Sequence, residues 1–162
     1  MNVPKSLIVH HTAGPAEQTF EIINSYHKQK FNLRSSLGFY IGYQYFIDKL
    51  GKVTQGRADT DEGAHTIGMI NSSIGICLAG NFDLNMPTPK QVESLRELLK
   101  VLCAKYSIAP VNIFPHRKFT QKTCYGLKLP DSWGRDLVVN DNLMQQLSLY
   151  QKVVELLKKL LK

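Results

Sequence analysis

Long apolar runs are missing from this chain of 162 residues. The longest uncharged apolar stretch, Ser73 to Gly80, falls far short of the roughly 20 residues a membrane-spanning helix requires. Cysteine is scarce: Cys77, Cys103 and Cys124 make an odd count of three. That argues against a disulfide framework and directs attention to metal ligation or catalysis in a reduced compartment. No secretory signal is visible. Lys5 stands near the N-terminus, but Leu7 to Val9 runs straight into His10 and His11, with no apolar leader core and no small-residue cleavage site. The expectation is synthesis in the cytoplasm, whatever the later destination. Repeats and low-complexity tracts are also lacking. Acidic residues are in deficit, 13 against 20 basic, for a net charge of +7. Such a surface favours polyanions (nucleic acid, anionic lipid or acidic wall polymers) or serves solubility alone.

What is present fits one ordinary folded domain. At 43% hydrophobic residues, a chain this long buries roughly 70% of its unfolded surface and needs no covalent staples. Ser6 to His11 reads as a first strand, closed by Thr12 and Gly14-Pro15. A helix is expected from about Glu17 to Gln29, with Phe20, Ile22, Ile23 and Tyr26 on one side and His27 on its surface. Phe39 to Asp48, turning at Leu50-Gly51 into Lys52 to Gln55, predicts a hairpin, and Ser73 to Ala79 a buried strand. Pro89 to Tyr106 is the clearest helix. Thr88 caps it, Pro89 opens it, Gln91 completes a capping box, and Val92, Leu95, Leu98, Leu99, Leu102, Cys103 and Tyr106 form one apolar stripe. Cys103 and Cys77 are therefore core residues, and Cys124 is left for chemistry.

Three groups could carry that chemistry: His10-His11 at a strand end, His65 in Gly63-Ala64-His65, and His116 with Cys124. Seven residues separate His116 from Cys124, a loop long enough to bring both side chains to one ion. Two histidines and a thiolate leave a fourth position open, which is how catalytic rather than structural zinc sites are built.

The surrounding motifs are more specific. Ile8-Val9-His10-His11-Thr12-Ala13, Gly42-Tyr43-Gln44-Tyr45-Phe46-Ile47, Gly63-Ala64-His65-Thr66 with Asn71-Ser72-Ser73-Ile74-Gly75-Ile76, and His116 with Lys122-Thr123-Cys124 follow one another in this order. Together they resemble the zinc-dependent N-acetylmuramoyl-L-alanine amidases and peptidoglycan recognition proteins, above all the short bacteriophage enzymes of that family, over roughly residues 5 to 130. The resemblance implies an α/β fold: a mixed central sheet flanked by α-helices, with residues 1–138 as a zinc amidase domain. It further implies Zn2+ on His10, His116 and Cys124, with His11 a neighbour rather than a ligand. It makes Tyr43 and Lys122 catalytic, and His65 and Asn71 substrate-binding. No glutamate in the matched motifs is an obvious general base. The implied activity is that of an endolysin, hydrolysing the amide between the muramoyl lactyl group and L-alanine. Such an enzyme is made in the host cytoplasm and acts on the wall after release. The alternative is a peptidoglycan-binding module without catalysis. Cys124, which binding-only relatives typically lack, and Lys122 favour the enzyme. A specific nucleic-acid partner is not expected, because no aromatic-basic recognition motif accompanies the charge.

Beyond Trp133 the composition shifts. Val139 to Asn142 reads as a short linker. Leu143, Leu147, Tyr150, Val154, Leu157 and Leu161 then form a heptad seam flanked by Lys152, Lys158, Lys159 and Lys162. Residues 139–162 are accordingly expected as a separate amphipathic helix. It has three readings: folded back on the domain, self-associating, or touching an outer membrane or anionic lipid.

Overall fold

The computed structural model describes residues 1–140 and Val153. Five strands form one sheet: β1 (Ser6–His11), β2 (Tyr45–Ile47), β3 (Val53–Gln55), β4 (Ser73–Leu78) and β5 (Ile113–Pro115). Their order is β3-β2-β4-β1-β5. β1 runs parallel to β4 and β5, β2 runs parallel to β4, and only β3 is antiparallel, paired with β2 in the expected hairpin. The central strands β1 and β4 are buried along their whole length, which is why both read as unbroken rather than alternating patterns.

The period of two in the strands divides the sheet into two cores. Leu7, Val9, Ile74, Ile76 and Leu78 face helix α2 (Pro89–Tyr106) and its fully buried Leu95, Leu99 and Leu102. Cys77 and Ala79 face the other way, with Phe20 and Ile23 of helix α1 (Phe20–Lys30) and with Ile41 and Phe46. The same alternation sends His10 to the α1 side, opposite Cys77 in register, and His11 to the α2 side. α2 has the bounds its sequence predicts. Its capping box is complete, Thr88 Oγ1 accepting from Gln91 N at 3.1 Å and Gln91 Oε1 from Thr88 N at 3.0 Å.

Three expectations are corrected. α1 starts at Phe20 rather than Glu17, because Thr19 caps it and the preceding residues turn on a Gln18 N to Pro15 O bond. Its buried face is Phe20, Ile23 and His27, whereas Ile22 and Tyr26 are half exposed. His27 is thus an interior residue, its Nδ1 accepting from Gly42 N at 2.9 Å. Residues 39–44 do not join β2. Their backbone is satisfied by distant groups instead: Asn24 Oδ1 accepts from Tyr40 N and Ile41 N, Arg57 Nε donates to Ile41 O, and the Gly42 and Gln44 carbonyls accept from Ala64 N and Gly56 N. The proposed linker is the third. Residues 133–140 are helical, so Val139 and Asn140 continue a helix that starts at Trp133 and buries Val138, while the other two linker residues, Asp141 and Asn142, lie outside the described residues. Pro130 and Ser132 carbonyls accept from Trp133 N and Asp136 N, closing its first turn. The heptad seam from Leu143 to Leu161 lies outside the described residues.

Candidate metal centre and groove

Two parallel strands bring the ligand candidates together. β1 ends in His10 and His11, and β5, paired to Leu7–Val9, hands the chain directly to His116 at the start of a 3₁₀ turn. Cys124 returns on the following loop. Arg117 fixes that loop: its N–H donates to the Cys124 carbonyl, its guanidinium donates to Gly126 O and Leu129 O at 2.7 Å each, and it pairs with Asp131. From the other side, the Asp83 carboxylate accepts from Thr123 Oγ1 and Leu127 N, both at 2.8 Å.

The result is a compact donor set. One ligand atom each from His10, His116 and Cys124 lies within 4.8 Å of the others, and Cys124 Sγ is 3.8 Å from His10 Nδ1. A tetrahedral zinc ion with ordinary N and S bond lengths holds such donors roughly 3.5 Å apart. Two imidazoles and one thiol are the ligand types zinc prefers, so the residues fit the ion. Burial, with the neighbouring His65 and His116, holds His10 well below the ordinary imidazole range. Burial and the Lys122 charge bring His116 down to about 4. Both rings therefore offer lone pairs at neutral pH. Burial pushes the Cys124 thiol up to about 12 despite a bond from His11 N–H, so a cation is needed for it to ionise there.

His11 takes no part in the donor set. Its Nδ1 accepts from Phe82 N at 3.0 Å on the α2 side of the strand, in keeping with a neighbour's role. Tyr43 lies between two histidines, its ring tilted by 52° and 51° to those of His10 and His27 with centroids 5.0 and 5.4 Å away. Burial raises its phenol well above the ordinary value, with Cys77 and Cys124 adding to the effect. It is a hydrogen-bond donor, not a phenolate. Lys122 is exposed on the rim beside Gln121 and Thr123.

These groups line a groove of about 830 Å³, walled on the other side by Ile22, Tyr26 and Lys30 of α1. No aspartate or glutamate is among the described residues that line it, so the groove is basic, with Lys30 and Lys122 on opposite walls. His65 is at its floor. Asn71 is not in it. That residue is exposed on the turn before β4, and its carbonyl accepts from Val3 N.

The α1 wall, the Arg117 and Asp83 clamps and the interior His27 are not found by motif reasoning. Only His27 had a usable signal. Phe20, Ile23 and His27 are spaced three and four apart, which places all three on one helix face.

A mixed sheet carrying a His–His–Cys cluster at the carboxyl ends of its strands, open to a basic groove, defines a hydrolase of the amidase type. The chain belongs to the N-acetylmuramoyl-L-alanine amidase family, whose sequence profile matches residues 1–127. It is 33% identical to the endolysin of Escherichia phage T7 over 145 residues, 84% of this chain and 90% of that protein. It is also 33% identical to a peptidoglycan recognition protein of Trichoplusia ni over 119 residues, 73% of this chain and 63% of that one. Among solved structures, the N-acetylmuramoyl-L-alanine amidase LysC from Clostridium intestinale superposes with a TM-score of 0.74 at 29% identity, covering 87% of both chains.

Proposed function

We propose that this amidase is zinc-dependent and acts as an endolysin, hydrolysing the amide between the lactyl group of N-acetylmuramic acid and L-alanine in peptidoglycan. The observation that carries the reading is the convergence of His10 Nδ1, His116 and Cys124 Sγ at the floor of an open groove. Zinc held there supplies Lewis acidity, lowering the pKa of a bound water to about 7 and polarising a carbonyl oxygen. The protein's own groups do the rest. Lys122 offers positive charge to the oxyanion from the rim, and Tyr43 offers a buried phenolic hydrogen. Lys30 and Lys122 suit a substrate whose stem peptide carries carboxylates. With no carboxylate among the described groove residues, proton transfer falls to the hydroxyl and amine groups at its walls.

The other reading is a peptidoglycan-binding module without catalysis. The presence of Cys124 within the donor set favours the enzyme. As an endolysin the protein is made in the host cytoplasm and meets its substrate after another protein opens the inner membrane. Residues 1–138 then suffice for catalysis. The deciding experiment is product analysis on purified peptidoglycan, with and without chelator, comparing wild type with Cys124→Ser. New L-alanine amino groups without new reducing ends, lost on chelation and in the variant, are expected. Binding without cleavage points to the recognition module, and new reducing ends to a different bond.

A further inference from the structure

We infer that His65 is a positioning residue for the ligand His10, acting with Thr66, and not a substrate contact. This rests on the reading of His10 as a metal ligand.

The two nitrogens of His10 face different partners. Nδ1 faces Cys124 Sγ, whereas Nε2 is 3.2 Å from His65 Nδ1 and 3.4 Å from Thr66 Oγ1. His65 Nδ1 is itself 2.9 Å from Thr66 Oγ1. When Nδ1 of His10 gives its lone pair to a metal, Nε2 carries the proton and must donate. The acceptors within reach are His65 Nδ1 and Thr66 Oγ1. In the His65 tautomer with its proton on Nε2, Nδ1 accepts from His10 Nε2–H directly or from the Thr66 hydroxyl. The arrangement therefore fixes the tautomer and the ring plane of His10, which is what outer partners of metal-bound histidines do.

The packing around His65 serves the same end. A Cβ added at Gly63 or Gly75 would collide with the His65 ring, with ring Nε2 at 2.6 and 2.7 Å respectively. The two glycines thus admit the imidazole between a loop and the mid-point of β4. Its far nitrogen, Nε2, is buried and has no partner. A ring inserted in this way leaves a polar atom unsatisfied, so folding alone gains little from a histidine here. The accepting nitrogen aimed at His10 accounts for it. A substrate contact needs a free polar atom facing the groove, and neither ring nitrogen of His65 provides one.

The test compares His65→Phe, which removes the acceptor, with His65→Asn, whose amide oxygen can take the place of Nδ1. Zinc affinity is measured by competition with a chromophoric chelator, and the visible spectrum of the cobalt-substituted protein reports the ligand field. His65→Phe is expected to bind zinc 10- to 100-fold more weakly with an altered cobalt spectrum. His65→Asn should stay within about threefold of wild type, and binding of the metal-free protein to peptidoglycan should be unchanged in both. If His65→Phe fails to fold, the smaller His65→Ala decides: weaker zinc binding supports the inference and unchanged binding overturns it. Wild-type zinc affinity and spectrum in His65→Phe, with weakened binding to peptidoglycan, overturns it in favour of a substrate contact. A wild-type protein that binds no zinc fails earlier, at the ligand reading itself.

Discussion

Asp83 and Thr123 are joined by a 2.8 Å hydrogen bond across 40 positions of sequence. It ties the loop after β4 to the residue just before Cys124, and the second carboxylate oxygen takes Leu127 N on the far side of the cysteine. Although burial alone would raise it, these two bonds hold the Asp83 carboxyl below its ordinary range. Asp83→Ala is expected to destabilise the fold by about 1–2 kcal/mol, the scale of bonds to a partly exposed charged acceptor, and to weaken zinc binding. A thermal melt and a chelator competition measure the two effects. An undisturbed zinc affinity would show that Arg117 holds the loop alone.

His27 predicts how the metal-free protein behaves in acid. Burial, with the Lys30 and Arg57 charges, brings its pKa down to about 4. An unfolded histidine titrates near 6.5, so between pH 6.5 and 4 the unfolded chain takes a proton that the native state refuses. Stability therefore falls as pH drops through that window and levels off below it. His27→Asn, which keeps an acceptor near Gly42 N, should flatten this limb in urea titrations at pH 4.5 and 6.5. An unaltered slope would assign the limb to the other buried histidines.

Most of the fold was legible because it follows local rules. α2 carries its own cap, opening proline and apolar stripe, and β1 and β4 are apolar runs bounded by turns. The elements that escaped are held by distant groups. Residues 39–44 look like strand, being aromatic and β-branched, yet Asn24, His27 and Arg57 satisfy their backbone from other segments. β5 is three residues long and ends in proline, so it exists only because the edge of β1 is available to it. In the site, residue identity reveals possible ligands but not which side of a strand they face. The alternation that separates His10 from His11 is a property of the sheet.

Leu99 separates packing from chemistry. It is fully buried between α2 and the sheet, on the face opposite His10. Leu99→Ala should cost about 2–5 kcal/mol of stability through lost burial and a residual cavity. Zinc affinity at 25 °C should stay within about twofold of wild type, a factor set by thermal energy alone near 0.4 kcal/mol. Denaturant unfolding and chelator competition on one preparation check both.

Lys122 should affect turnover without affecting metal affinity. Its side chain lines the groove beside His116 but is not among the donor atoms. Lys122→Met is expected to lower kcat roughly 100- to 1,000-fold, the usual loss for one oxyanion-stabilising group, with zinc affinity nearly unchanged. It should also let the His116 pKa rise, since the cation that helps depress it is gone. Comparable losses in KM and kcat would instead make Lys122 a substrate anchor.

Cys124 determines the proton balance of metal uptake. At pH 6, a unit below the value of about 7 expected of a zinc-bound water, the thiol, pushed up to about 12, is protonated, while His10 and His116 are already neutral. Zinc binds the thiolate and the neutral imidazoles, so loading the site should release about one proton, all of it from sulfur. Isothermal titration calorimetry in buffers of different ionisation enthalpy measures that number directly. In Cys124→Ser the release should fall towards zero along with affinity, because a serine hydroxyl stays protonated at this pH. A release near two in the wild type would mean that one histidine was charged in the metal-free protein, contrary to the depressed values that burial gives them.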